Sequence, residues 1–159
     1  MGVRLLLFLL STAVGAFAGD LYRRYLAERR RYFGEYRRFL RYVGSDLGFR
    51  RTDIMTLTGG FETADALFKK HLSEYADGLK SGVARLSGGY LSREELETVK
   101  STLFSIGRVD AETQIAELKA AESDADERFR AAERKYLKYG VTAVKLGLLG
   151  GIGLGILLL

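Results

Sequence analysis

A single histidine, His71, and no cysteine leave this chain little with which to build a reactive centre. A zinc or thiolate site needs several nitrogen or sulfur ligands at close spacing, and neither a cysteine cluster nor a paired-histidine helix can be assembled here. Nucleophilic catalysis would have to be organised around His71, and no nucleophile elbow accompanies it. His71 lies on an amphipathic segment and reads as a structural or surface residue. The glycines of GGIGLG, residues 150–155, sit in an apolar run without the lysine and hydroxyl of a phosphate-binding loop. Glu94, Glu95, Glu97, Glu112, Glu117 and Glu122 read as solvated helix faces. These residue types argue against an enzyme and against any metal or cofactor. They leave a membrane-anchored assembly component, a membrane-surface binding module or a plain structural hairpin.

The residues that stand out are basic, aromatic and small. Ten arginines fall within residues 20–52 against four acids, whereas residues 53–139 hold thirteen basic and sixteen acidic side chains. Arg23, Arg24, Arg29, Arg30, Arg31, Arg37 and Arg38 form a candidate membrane-proximal basic face, interleaved with aromatics in YRRYLAERRRYFGEYRRFLRY, residues 22–42. Such interleaving also suits stacking on nucleic acid. Its place directly after an apolar segment favours anionic lipid head groups, with the aromatics packing inward. Small residues recur four apart in both apolar ends: Ser11, Gly15 and Gly19 in the first, and Ala143, Gly147, Gly151 and Gly155 in the last. Lipid supplies no hydrophobic drive for helices to associate, so small faces that admit close backbone approach mark helix-packing sites.

These features need elements to carry them. Residues 1–19 read as an N-terminal transmembrane anchor whose apolar core, Leu5 to Gly19, covers about 22 Å at helical rise. Ala16-Phe17-Ala18 before Gly19 also fits a secretory cleavage site. The eight arginines between positions 23 and 41 oppose translocation of the chain beyond Gly19, which favours the uncleaved anchor. Residues 140–159 have the length a bilayer requires, with Lys145 near enough to the basic flank to reach the interface. A tail signal for a lipid anchor and a buried hairpin helix are the other readings of this stretch. The expected topology has both termini outside and residues 20–139 in the cytoplasm.

Between the anchors every strong pattern is helical, and the chain contains no proline to break it. Apolar residues at helical spacing predict one helix from the membrane to about Leu47, with a bend near Gly34. GFRRTDIMTLTGG, residues 48–60, reads as a connection turning at Gly48 and Gly59-Gly60. An amphipathic segment comes next, with Phe61, Ala64, Leu67, Phe68, Leu72, Tyr75 and Leu79 on its apolar face. Ser92 and Glu95 have capping-box spacing, and Gly107 and Asp110 read as the end of one helix and the N-cap of the next. From Ile115 a seam of Leu118, Ala125, Phe129, Ala132, Tyr136 and Tyr139 repeats at coiled-coil spacing, with Glu122 in one seam position. The fold class expected is all-α, a membrane hairpin whose terminal transmembrane helices flank an antiparallel cytosolic bundle.

The layout, the stretch GRVDAETQIAEL at residues 107–118 and the tail KYLKYGVTAVKLGLLGGIGLGILLL together resemble the stage III sporulation protein AB family. The resemblance spans the chain in layout and its last fifty or so residues in motif. The chain departs from the family's usual prolines and middle tryptophan, which bears on residues 48–90. The resemblance implies a platform or adaptor subunit of a secretion-like channel between mother cell and forespore. Its cytosolic domain would be similar to the helical domains of the type II secretion inner-membrane platform protein. It further implies a cytosolic secretion-type ATPase and other membrane subunits as partners, with Gly107, Asp110 and Gln114 as possible contacts. Helix capping accounts for the same three residue types.

Overall fold

The computed structural model describes residues 2–49 and 53–157. Arg50, Arg51 and Thr52 of the expected 48–60 connection lie outside the described residues, as do Met1, Leu158 and Leu159. Five helices succeed one another: α1 Gly2–Phe49, α2 Ile54–Gly60, α3 Ala66–Ser81, α4 Arg93–Ser105 and α5 Ala111–Leu157. No strand occurs among the described residues, and the fold is all-helical. The two terminal helices are each long and apolar enough to cross a membrane, which fits a membrane protein.

Contacts divide the chain into two units, one formed by the chain up to Arg30 with Ala131 onward, the other by Arg31–Arg130. In the first unit the side chains of Leu5, Leu6, Leu9, Leu10, Val14 and Phe17 on α1 are exposed, as are Leu146, Leu149, Leu154 and Ile156 on α5. In water so much exposed apolar surface would mark an association or membrane surface. Leu26 and Ala132 are buried, and Arg30 lies over the Tyr136 ring at 4.9 Å.

The second unit is built on aromatic packing. Tyr32, Phe33, Tyr36, Phe39, Leu40 and Val43 of α1 are essentially inaccessible, which is the face the helical spacing predicts. Phe68 of α3 sits edge-on to Tyr32, Tyr36 and Phe39, with ring centroids 5.5–6.1 Å apart. Positions climbing α1 meet positions descending α5: Gly34 faces Phe129, Arg37 pairs with Asp126, and Arg41 pairs with Glu122 at 2.7 Å. Gly34 therefore marks close packing against the Phe129 ring, inside a helix that runs through it without a break. Leu118 and Ala125 of the α5 seam are buried, whereas Tyr139, in the first unit, is exposed and lies off it.

Two expectations for the middle of the chain are corrected. Gly48 belongs to α1 and is not a turn, and the stretch read as a connection contains α2. Asp53 begins α2 by accepting the Met55 N–H at 3.1 Å, and Leu57 and Thr58 are buried. Gly59 and Gly60 finish that helix. The next helix starts at Ala66, five residues later than Phe61, because Asp65 caps it through the Phe68 N–H at 2.8 Å. Phe61 still packs, stacking edge-on against Phe39 at 5.2 Å from the extended segment before the cap. Ala64 is exposed there and contributes nothing to the apolar face. The capping box at α4 is complete: the Ser92 side chain accepts from Glu95 N at 3.2 Å, and Glu95 Oε2 from Ser92 N at 2.8 Å.

Candidate functional site

In the first unit the small residues of the two apolar helices face one another. A Cβ built on Gly15 would collide with the Gly147 carbonyl oxygen and fall 2.9 Å from Gly151 Cα. One on Gly19 would lie 2.5 Å from the Ala143 carbonyl oxygen, and one on Gly151 2.6 Å from that of Ser11. Gly155 meets Phe8 and the Ser11 hydroxyl, and that hydroxyl lies 3.1 Å from the Gly151 carbonyl. Backbone therefore touches backbone along this seam, and any side chain larger than hydrogen at Gly15, Gly147 or Gly151 would push the helices apart. Ser11, Gly15, Gly19, Ala143, Gly147, Gly151 and Gly155 are all brought together. Gly150 and Gly153 have open space where a Cβ would stand.

The arginines are distributed among different partners. Arg23 and Arg24 both bind Asp20, at 2.6 and 2.7 Å. Arg29 reaches the Tyr25 hydroxyl at 3.1 Å and Arg30 covers Tyr136. In the second unit Arg37 pairs with Asp126 and stacks on Phe129, so the guanidinium holds that carboxyl below the usual carboxylate range. Arg38 binds Glu35 at 2.7 Å, donates to the Glu62 carbonyl and covers Phe61. Arg31 is exposed. Of the seven, then, Arg37 and Arg38 tie α1 to the rest of the second unit. Glu122 likewise departs from the solvated-face reading by pairing with Arg41. The signal for it was its seam position opposite an arginine-rich helix.

The turn between α4 and α5 has an internal explanation. Ile106 closes α4 through its N–H to the Leu103 carbonyl, and Gly107 comes next at φ 83°, a left-handed conformation that glycine adopts without a Cβ penalty. Asp110 accepts the Thr113 N–H at 3.0 Å, which lowers its pKa from the ordinary value. Gln114 Oε1 accepts the Gly107 N–H at 2.7 Å, so a side chain one turn into α5 fastens the end of α4. Gln114 is 2% exposed, whereas Arg108 and Val109 project from the turn. Gly107, Asp110 and Gln114 thus build one turn and are joined by hydrogen bonds.

His71 is fully buried. Its Nδ1 lies 2.7 Å from the Tyr32 hydroxyl and its Nε2 2.7 Å from the Ser87 carbonyl. The carbonyl only accepts, so Nε2 carries the proton and Nδ1 accepts from tyrosine. Burial pushes the His71 pKa down and the Tyr32 pKa well up. The arrangement is a neutral tie holding the loop before α4 to α1 and α3, and sequence spacing gave no signal of it. No group of three or more metal-ligating side chains occurs among the described residues.

With these contacts in place, comparison with known proteins adds one finding. The family model described as Stage III sporulation protein AB matches residues 4–159. No curated protein and no solved structure matches the chain.

Proposed function

The chain belongs to the stage III sporulation protein AB family, and we propose that it is a non-enzymatic platform or adaptor subunit of a sporulation channel between mother cell and forespore. On this reading α1 and α5 anchor it as a two-pass hairpin in the bacterial inner membrane. Residues 20–139 form an antiparallel bundle in the mother-cell cytoplasm, where they dock a secretion-type ATPase alongside other membrane subunits. The observation that carries the reading is the glycine-lined contact between the two apolar helices. Helices packed backbone to backbone make a stiff unit, which suits a part that holds others in register and does no covalent chemistry.

Co-purification of the full chain with the channel's ATPase after mild detergent extraction tests the proposal. Stable association is expected, and its failure with both proteins folded and present would remove the docking role. The second reading, a lipid-binding or membrane-shaping hairpin, draws support from the exposed side chains of Arg23, Arg24 and Arg31. It predicts salt-sensitive enrichment of anionic lipid around the reconstituted chain without any protein partner. The engagement of Arg37 and Arg38 with protein groups leaves that reading a smaller basic surface.

A further inference from the structure

In the second unit, α5 presents Lys119, Glu122, Ser123, Asp126 and Arg130 at helical spacing to Arg37 and Arg41 of α1, across a groove of roughly 450 Å³. Four cations and two carboxylates line it, so it carries two positive charges that nothing in its lining balances. The pairing within the groove decides where that excess lies. Asp126 accepts from Arg37 through Oδ1 and from Arg130 through Oδ2, the latter at 2.7 Å. Glu122 Oε1 takes both Nε and Nη2 of Arg41, at 2.8 and 2.7 Å. Both carboxylates thus stand midway along the α5 wall, where they repel a further anion. Lys119, at one end, is exposed and pairs with no acid among the described residues. Arg130, at the other, binds Asp126 through Nε and keeps its two amino groups for another acceptor, on a side chain 68% exposed. These two ends are eleven residues apart on one face of α5, about 16 Å at helical rise.

We propose that this groove docks an acidic segment of a protein partner, one carboxylate meeting Lys119 and a second meeting Arg130 about 16 Å away. The separation of the two charges selects the occupant. A single oxyanion reaches only one end and must face the carboxylates between them. Nucleic acid and anionic membranes present dense rows of phosphates, which suit an uninterrupted basic stripe and are opposed by Glu122 and Asp126. A peptide can space its acids and lay uncharged residues over that middle stretch. Acids four residues apart on an extended strand share a face at about 13 Å, and the long Lys119 and Arg130 side chains cover the difference. Two added carboxylates bring the groove to neutrality. The proposal rests on the chain's role as a docking subunit and names the surface and the kind of segment it holds.

Ser123 lies in the groove and is exposed, and the chain has no native cysteine, so alkylation of the Ser123→Cys chain by iodoacetamide reads occupancy of the site. The full chain in uncharged detergent is titrated with acetyl-Glu-Ala-Ala-Ala-Glu-amide and with its glutamine counterpart. A third peptide, acetyl-Glu-Glu-Ala-Ala-Ala-amide, carries the same charge at the wrong spacing. The spaced glutamate peptide should slow alkylation saturably and bind roughly fivefold tighter than either of the others. Alkylation of the Ser73→Cys chain, exposed on α3 and outside the groove's lining, should not change. Lys119→Glu, which breaks no ion pair, should abolish the preference, and Lys119→Arg should retain it. An equal response to all three peptides, or none, would overturn the proposal. So would protection by inorganic phosphate at the same concentration, which marks an adventitious ion only, or by phosphatidylglycerol vesicles without peptide, which marks a lipid surface. Co-purification of the wild-type chain with the ATPase, run in parallel, separates the two readings. If association persists while the titration fails, the groove assignment falls and docking stands. If the titration succeeds without association, the groove stands and the ATPase role falls.

Discussion

His71, buried in its neutral form, makes stability depend on pH in a direction that can be worked out. Unfolded, it titrates near its ordinary value of 6.5; folded, burial lowers that value. Between the two the unfolded chain binds the extra proton, so acid favours unfolding. The stability from the Tyr32–His71–Ser87 tie is therefore complete above about pH 6.5 and declines as the pH falls toward the folded value. Thermal unfolding of the full chain in detergent should show a lower midpoint at about pH 5.5 than at about pH 7. His71→Gln, which keeps a donor and an acceptor but cannot titrate, should start less stable and lose most of that slope. An equal slope in the variant would assign the acid sensitivity to carboxylates instead. Residue-scale chemistry is unevenly legible in the sequence. Asp110 and Ser92 act within three residues of themselves, so spacing alone reveals their caps. His71 finds its partners on α1 and on the loop before α4, and no local pattern encodes a pairing across that many residues.

Among the elements, α4 and the seam between α1 and α5 carry the clearest tests. Ser92→Ala removes one hydrogen bond of the capping box and leaves the Glu95 N–H without its partner. It should cost about 1 kcal/mol in chemical denaturation, whereas Ser92→Asp should cost little because it retains an acceptor. At the seam, the space where a Gly155 Cβ would stand lies 2.8 Å from the Ser11 hydroxyl. Ser11→Cys with Gly155→Cys should therefore form an intramolecular disulfide in membranes under mild oxidation, uncomplicated because the chain has no native cysteine. Adding Gly147→Leu and Gly151→Leu should reduce the yield several-fold while membrane insertion persists, since leucine cannot occupy a backbone-to-backbone contact. An undiminished yield would show that the helices meet along another face. The four-residue spacing of small residues marks these positions in the sequence itself, because lipid leaves packing as a main reason to place glycine there. The short helix α2 is not legible in the same way: seven residues holding two glycines and no acidic or basic side chain carry too little periodicity to separate from a turn. Its cap, Asp53, is the signal that was available.

At the scale of the whole molecule, the proposed two-pass topology rests on the charge beside the two long apolar helices. Arginine density is highest just after the first apolar segment, and Lys135, Lys138 and Lys145 flank the second, so both apolar segments carry their positive charge toward the middle of the chain. Basic residues beside a span are retained in the cytoplasm, and the two flanks agree with each other, whereas opposite placement would require both to violate the bias. Ion pairing within the fold leaves this bias intact, because orientation is set during insertion by charge on a chain not yet folded. Fold class is readily legible in the sequence, since a proline-free chain with helical periodicity throughout has few other outcomes. The sidedness proposed from the same charges can be read directly in cells. Ser45 on α1 and Ser123 on α5 are exposed, so a cysteine at either position can be reached by a water-soluble maleimide on whichever side it lies. In intact cells with a permeable outer envelope, Ser45→Cys and Ser123→Cys should stay unlabelled by a membrane-impermeant reagent and become labelled after lysis. Labelling before lysis at either position would place residues 31–130 outside the cytoplasm, leave a cytosolic ATPase out of reach, and overturn the hairpin topology together with the docking role.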